Sequence, residues 1–139
     1  MKKLACILLL LFSVASVARE KPLAPEELAG ARFVSAEDVV EMVLANPGMV
    51  VIDSRKRAEY IKGHIEGSIN MLNTEMTLEK LAAVAPDRAT ILLFYCNGIR
   101  CMRSADAINK ALTWGYTNIY WFRDGWRVWT EMKFPVVIE

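Results

Sequence analysis

The chain of 139 residues is long enough for one domain with a hydrophobic core and too short for two domains of ordinary size. Its 17 basic and 16 acidic residues nearly cancel and form no basic block with interleaved aromatics, which argues against nucleic acid as a partner. Its single histidine lies far from the cysteines, so a four-ligand metal site cannot be assembled, and we expect no metal and no other cofactor.

Residues 1–18 have the pattern of a secretory signal. Two lysines precede an unbroken apolar run that ends at Phe12, and Ser16 and Ala18 provide the small residues that a signal peptidase reads. The run is shorter than the roughly 20 residues that span a bilayer, so we expect cleavage and no stable membrane anchor afterwards. Loss of both lysines would leave 15 of the 17 basic residues against 16 acidic ones, in a periplasmic or secreted protein.

An extended lead-in is predicted for residues 19–32, which contain two prolines and no clean hydrophobic period. The domain is predicted to occupy residues 33–139. Its first helix begins with Ser35 and Asp38 in capping-box spacing and stops at Asn-Pro-Gly, residues 46–48. The apolar face predicted for this helix consists of Val39, Val40, Val43 and Leu44.

Short apolar runs alternate with helical segments through the rest of the chain. The predicted strands are 49–53, 67–72, 90–95 and 118–122. The further predicted helices are 77–85, 104–115 and 125–133. Fully apolar strands suit a parallel sheet that is covered on both faces. We therefore predict an α/β domain with a mainly parallel central sheet flanked by helices on both faces.

A candidate site follows the most apolar strand, residues 90–95. Cys96 comes directly after this strand and Ser104 begins the next predicted helix, so the loop between them lies at the carboxyl edge of the sheet, where ligands bind. The free N–H groups of a helix N-terminus favour an anion and lower the pKa of a nearby thiol. This pattern predicts a thiolate and an anionic substrate at Cys96, with a buried, unreactive cysteine as the alternative.

Three stretches of the chain resemble the rhodanese-like domain family. They are VVIDSRKRAEYIKGHIEGSINM, LLFYCNGIRCMRSADA and GYTNIYWFRDGWRVWTEMKFPV, and the resemblance covers about residues 33 to 139. It implies a single rhodanese-like domain with sulfurtransferase activity. Cys96 would accept a sulfane sulfur as a persulfide and pass it to an acceptor thiol, while loop N–H groups cradle the anionic sulfur. The substrate-binding loop residues it implies are Asn97, Gly98, Ile99 and Ser104.

The cysteine loop departs from the family's usual spacing. Family loops usually place four residues between the cysteine and an Arg-Ser pair, whereas six lie between Cys96 and Arg103 in this chain. The longer loop contains Arg100 and Cys101, so either arginine is a candidate for binding the substrate anion. Since the two loop cysteines are the only ones after residue 18, in a compartment that favours oxidation, we predict a reversible disulfide with Cys101 as the resolving partner.

A supporting network is predicted beneath this loop. Asp53, Arg55 and Glu59 lie at and after a strand end, where they are expected to form a buried or half-buried polar network. The alternative role for Arg55 is direct contact with substrate. His64 is predicted to be structural, since a lone histidine seldom makes a catalytic dyad without a placed partner.

The last third of the chain holds all four tryptophans, most of which we expect in the core. Trp121 or Trp126 is a candidate for the mouth of the pocket. The three residues 123–125, Arg-Asp-Gly, follow a strand end and are predicted to contribute to the same rim.

The leading functional hypothesis is an exported rhodanese-like sulfurtransferase. Its partners would be a small anionic sulfur donor, a thiol acceptor and a redox protein. One alternative is a thiol-disulfide or anion reductase that cycles Cys96 and Cys101. Another is a non-catalytic rhodanese-fold binding module, which retention of a cysteine at the nucleophile position disfavours. A phosphatase is the least favoured, because the loop has no acidic residue.

Overall fold

The sheet and helices are those of a computed structural model that describes residues 19–139; the predicted signal at residues 1–18 lies outside the described residues. The strands are β1 (Ala31–Phe33), β2 (Val50–Asp53), β3 (His64–Ile65), β4 (Ile69–Asn70), β5 (Leu92–Tyr95), β6 (Ile119–Phe122) and β7 (Val136–Val137). The helices are α1 (Ala36–Ala45), α2 (Arg57–Tyr60), α3 (Leu78–Val84), α4 (Arg103–Thr113) and α5 (Gly125–Glu131). Within this part of the chain, every helix is too short or too polar to cross a membrane.

Five strands form a parallel sheet in the order β1-β6-β5-β2-β4, and β3 pairs antiparallel with β7 outside it. Side chains on β2 and β5 alternate between two apolar cores. Ile52 and Phe94 face the core that contains α3 and α4, whereas Val51 and Leu93 face the core that contains α1 and α5. The predicted α/β class, with a mainly parallel sheet covered on both faces, is confirmed.

The capping box at the start of α1 is present. The Ser35 hydroxyl accepts from the Asp38 N–H at 3.2 Å, and Asp38 Oδ2 accepts from the Ser35 N–H at 2.8 Å. The predicted apolar face is only partly buried, since Val39 is fully buried but Leu44 is 79% exposed. Leu44 follows Val39 by five positions, which turns it about 140° away from the buried face.

Several short elements were not predicted. Strand β1 starts at Ala31, inside the predicted lead-in, and pairs in parallel with β6 at the sheet edge through Ala31 and Ile119. Helix α2 has four residues, and β3 and β7 have two each. Strands β1, β3 and β7 are defined by pairing with segments distant in sequence, and all four elements are too short to show a clear hydrophobic period.

Candidate active site

The cysteine loop, residues 96–102, connects β5 to α4. Because β5 lies between β6 and β2, the loop leaves the middle of the sheet at its carboxyl edge. The structure joins Cys96 and Cys101 in a disulfide whose Cα atoms are 6.2 Å apart, within the usual range of about 4.4–6.8 Å. Cys96 is 1% exposed. The cysteine pairing is therefore present in the structure, while its reversibility stays a prediction.

The first turn of α5 holds the start of the cysteine loop. The carbonyl of Cys96 accepts from the Trp126 N–H at 2.8 Å, and that of Asn97 accepts from the Arg127 N–H at 3.0 Å. The contact depends on Gly125, which has φ +61°, and a Cβ atom there would lie 2.3 Å from the Cys96 carbonyl oxygen. Gly125, which was expected near the rim of the site, thus lies directly against the backbone of the cysteine loop.

Glu59 of α2 contacts the loop from the other side. Its Oε1 accepts from Asn97 Nδ2 at 2.7 Å, and its Oε2 lies 3.3 Å from Arg103 Nη1. Partial burial alone would raise the pKa of Glu59, but hydrogen bonds from Asn97 and the Lys56 N–H, with the positive charge of Arg103, outweigh it and lower the pKa. Glu59 therefore links the loop to the first turn of α4 as a carboxylate.

Asp53 and Arg55 form a separate buried ion pair, with 2.6 Å between Asp53 Oδ2 and Arg55 Nη2. Tyr95 Oη donates to the same carboxylate oxygen at 2.5 Å, and the Arg55 guanidinium lies 4.3 Å from the centre of the Trp126 ring. Burial alone would lower the pKa of Arg55, but the hydrogen bonds and negative charge of Asp53 outweigh this effect and raise the pKa above its ordinary value. The residues predicted to form one network thus form two: Asp53 and Arg55 pair with each other, and Glu59 bonds the cysteine loop and Arg103 separately. Arg55 is 1% exposed and serves as support beneath the site, without a surface for substrate contact.

A pocket of about 600 Å³ opens beside the disulfide. Its lining residues are Lys21, Asn97, Gly98, Ile99, Arg100, Cys101, Met102, Arg103 and Arg127. Four of these are cationic and none is acidic, so the pocket favours an anion. The sequence did not predict Lys21 or Arg127 as site residues, although Arg127 lies shortly after residues 123–125, which were predicted at the rim. Ser104 was expected at the site, but it is buried and its Oγ accepts from Trp121 Nε1 at 2.9 Å.

Residues 20–25, which we call the N-terminal strap, lie across the cysteine loop. The Ala24 N–H donates to the Ile99 carbonyl at 2.6 Å, and Arg100 Nη1 donates to a strap carbonyl at 2.5 Å. Arg123 Nη2 donates to the Ala24 carbonyl at 2.7 Å. The segment predicted as a lead-in is therefore part of the site's wall. Arg123 was expected at the rim of the pocket, but its guanidinium bonds the strap instead.

The remaining candidates lie away from the pocket. His64 Nδ1 is 3.0 Å from the Tyr60 carbonyl, and its ring stacks on the Tyr60 ring at 3.7 Å. Trp121 is buried against Ser104, and Trp126 packs on Arg55. Neither residue lines the pocket, although one of them was expected at its mouth. Across residues 19–139, no three histidine, cysteine or acidic side chains come together in a way that could hold a metal ion.

Fold and site together define an α/β domain with a cysteine loop between a central strand and a helix N-terminus. The model of the rhodanese-like domain matches residues 35–132, and the chain belongs to this family.

This chain is similar to two curated relatives over part of their length. The uncharacterized protein YibN of Escherichia coli K12 is 29% identical over 89 residues, which cover 63% of this chain and 60% of YibN. The HTH-type transcriptional regulator Rv0324 of Mycobacterium tuberculosis is 30% identical over 132 residues, covering 91% of this chain and 57% of the regulator. The matches thus span about 60% of the length of these relatives.

Solved structures have the same fold. The BH2092 protein of Bacillus halodurans superimposes with a TM-score of 0.69 at 17% identity, covering 78% of this chain and 77% of that one. A thiosulfate sulfurtransferase of Pseudomonas aeruginosa gives a TM-score of 0.67 at 27% identity, covering 78% of this chain and 20% of the enzyme.

Proposed function

We propose that the protein is an exported sulfurtransferase that carries a sulfane sulfur on Cys96. The observation that carries the proposal is the position of Cys96, between β5 and the start of α4 and disulfide-bonded to Cys101, which lines a pocket with four cationic side chains. Membership of the rhodanese-like family supports this type of chemistry. Export rests on the signal pattern in residues 1–18.

The reaction begins when a thiol reductant opens the Cys96–Cys101 disulfide. The Cys96 thiolate then attacks the outer sulfur of a donor such as thiosulfate, whose S–S bond breaks, so that sulfite leaves with the electron pair and Cys96 holds a persulfide. An acceptor thiolate next attacks the outer persulfide sulfur and releases the Cys96 thiolate. The pocket arginines bind the anionic donor and neutralise its charge as it approaches the thiolate.

Arg103 is the better candidate for the residue that grips the donor anion. Within residues 19–139, its one side-chain partner is Glu59, at 3.3 Å. Arg100 instead holds two strap groups, a carbonyl at 2.5 Å and the Glu20 carboxylate at 3.0 Å. Arg103 therefore loses less when it turns towards a ligand in the pocket.

The resolving cysteine supports a return path. The Cys101 thiolate attacks the inner sulfur of the Cys96 persulfide, which re-forms the disulfide and, with one proton, releases hydrogen sulfide anion. A thiol reductant must then supply two electrons for the next cycle, and a dithiol redox protein is the partner that fits this requirement. Reduction of an external disulfide by the same dithiol is the second candidate function, and the disulfide in the structure favours it.

Sulfur transfer from thiosulfate to dithiothreitol, followed as sulfide release, tests the proposal. Cys96→Ser should abolish transfer, because no nucleophile remains to accept the sulfur. Cys101→Ser should retain at least part of it under reducing conditions, and Arg103→Gln should raise the KM for thiosulfate more than Arg100→Gln does. The opposite result for the two cysteines would place the nucleophile at Cys101. Reduction of a small disulfide probe without any sulfur transfer would favour the reductase.

A further inference from the structure

Ser54 has an unpartnered hydroxyl in the middle of the molecule. It follows β2 directly and is fully buried. Among the buried side-chain nitrogen and oxygen atoms of residues 19–139, Ser54 Oγ is the one without a hydrogen-bond partner. A buried polar group without a partner is costly, so its presence requires an explanation.

The strand register places Ser54 next to Cys96. Asp53 of β2 is paired with Tyr95 of β5, and the Ser54 N–H continues the ladder by donating to the Tyr95 carbonyl at 2.9 Å. Ser54 and Cys96 are therefore the next neighbours along the two strands, and both are buried.

The alternation of side chains sets the direction of both residues. Tyr95 Oη bonds Asp53 Oδ2, so these two side chains share one face of the sheet. Because successive side chains along a strand point to opposite faces, Ser54 and Cys96 lie on the other face.

That other face is covered by α4. Ile52 and Phe94, each two positions earlier on the same strands, pack in one core with Ala105 and Ile108 of this helix. Helix α4 has 11 residues and begins at Arg103 without a side-chain cap. Among the described residues no side chain caps its first N–H groups, so these groups can stabilise negative charge at the end of the cysteine loop.

We infer that Ser54 is a positioning residue for Cys96, whose thiolate accepts a hydrogen bond from the Ser54 hydroxyl once the disulfide opens. The inference rests on the proposed function, in which the Cys96 thiolate is the nucleophile. A disulfide sulfur is a weak acceptor and a thiolate is a strong one, which accounts for a hydroxyl that lacks a partner in the oxidised protein. Ser54 would then act with the first turn of α4 to hold the sulfur as an anion aimed at the donor.

The pH dependence of iodoacetamide alkylation tests this role. The reduced full-length protein is used in a Cys101→Ser background, and the peptide that carries Cys96 is followed by mass spectrometry. Ser54→Ala should raise the pKa of Cys96 by about one unit, since it removes a hydrogen bond to the charged form. Below that pKa, alkylation should slow about three- to fourfold, because the remaining thiolate is scarcer but more nucleophilic.

Two controls separate positioning from general disturbance. Ser68→Ala removes another buried hydroxyl, which lies 3.3 Å from Tyr95 Oη on the opposite face, and should leave the pKa of Cys96 unchanged. Ser54→Ala should also leave the melting temperature of the oxidised wild-type background unchanged or higher, because the hydroxyl has no partner there to lose.

An unchanged Cys96 pKa in Ser54→Ala, or an equal shift in Ser68→Ala, would overturn the inference. A lower melting temperature of the oxidised Ser54→Ala protein would overturn it as well. Alkylation requires no sulfur donor, so the test is independent of sulfur transfer. A protein that shows the pKa shift but forms no persulfide would contradict the proposed function and leave the role of Ser54 intact.

Discussion

Gly125→Ala tests how the start of α5 supports the cysteine loop. Gly125 has φ +61°, and a Cβ atom there would lie 2.3 Å from the Cys96 carbonyl oxygen and 3.0 Å from the Gly98 nitrogen. These are backbone atoms, so a side-chain rotation cannot relieve the clash. The loop must move away from α5.

The expected cost has two parts. An L-residue in the left-handed region costs about 1–2 kcal/mol. Movement of the loop also strains the two hydrogen bonds that the Cys96 and Asn97 carbonyls accept from α5, each worth about 0.5–1.5 kcal/mol. Gly125→Ala should therefore destabilise the oxidised protein by about 2–5 kcal/mol.

Urea unfolding of three glycine variants separates these parts. Gly67 has φ +76° and, among the described residues, nothing within 4 Å of the Cβ position, so Gly67→Ala reports the backbone strain alone. Gly48 is also open, without a left-handed φ, and Gly48→Ala should change stability little. The reasoning is refuted if Gly125→Ala costs no more than Gly67→Ala.

Three other variants test the support around the site. Arg123→Gln should release the N-terminal strap and speed its cleavage in limited proteolysis severalfold, while the surface control Arg57→Gln should not; equal cleavage rates would contradict the contacts described. Asp53→Asn leaves the Arg55 charge buried and unpaired and should lower the free energy of unfolding by about 3–5 kcal/mol in urea, and a loss below about 1 kcal/mol would argue against the pair. Glu59 has a lowered pKa, so its stabilisation is complete above its ordinary value of 4.5 and is lost as the pH falls through the lower folded-state value. Glu59→Gln should flatten the fall of melting temperature in that acid range, and an unchanged profile would contradict this assignment.

Local sequence signals predicted the elements that depend on neighbouring residues. The spacing of Ser35 and Asp38 predicts the capping box, because both partners lie within one turn. The apolar run before Cys96 predicts a buried central strand, because its apolar side chains are adjacent in the sequence. Elements of two to four residues, such as β3 and α2, contain only about one hydrophobic period each, which is too little to show a pattern in the sequence.

The walls of the site depend on long-range contacts that no local pattern encodes. Ala24 bonds Ile99, 75 positions later by their residue numbers, so the strap could not be placed on the loop from the sequence. Glu59 was expected beside Asp53, but the orientation of α2 turns it towards Asn97. The position of Cys96 could be predicted because it depends only on the end of its own strand.

The most direct test of the central claim is the mass of the peptide carrying Cys96 after the reduced protein is mixed with thiosulfate. The account predicts that Cys96 gains one sulfur atom in the Cys101→Ser variant and keeps it, because no resolving thiol is present. In the wild type, the same sulfur should give way to the Cys96–Cys101 disulfide with release of sulfide. A Cys96 peptide that gains no sulfur in either protein, or sulfur found on Cys101 instead, would contradict the account.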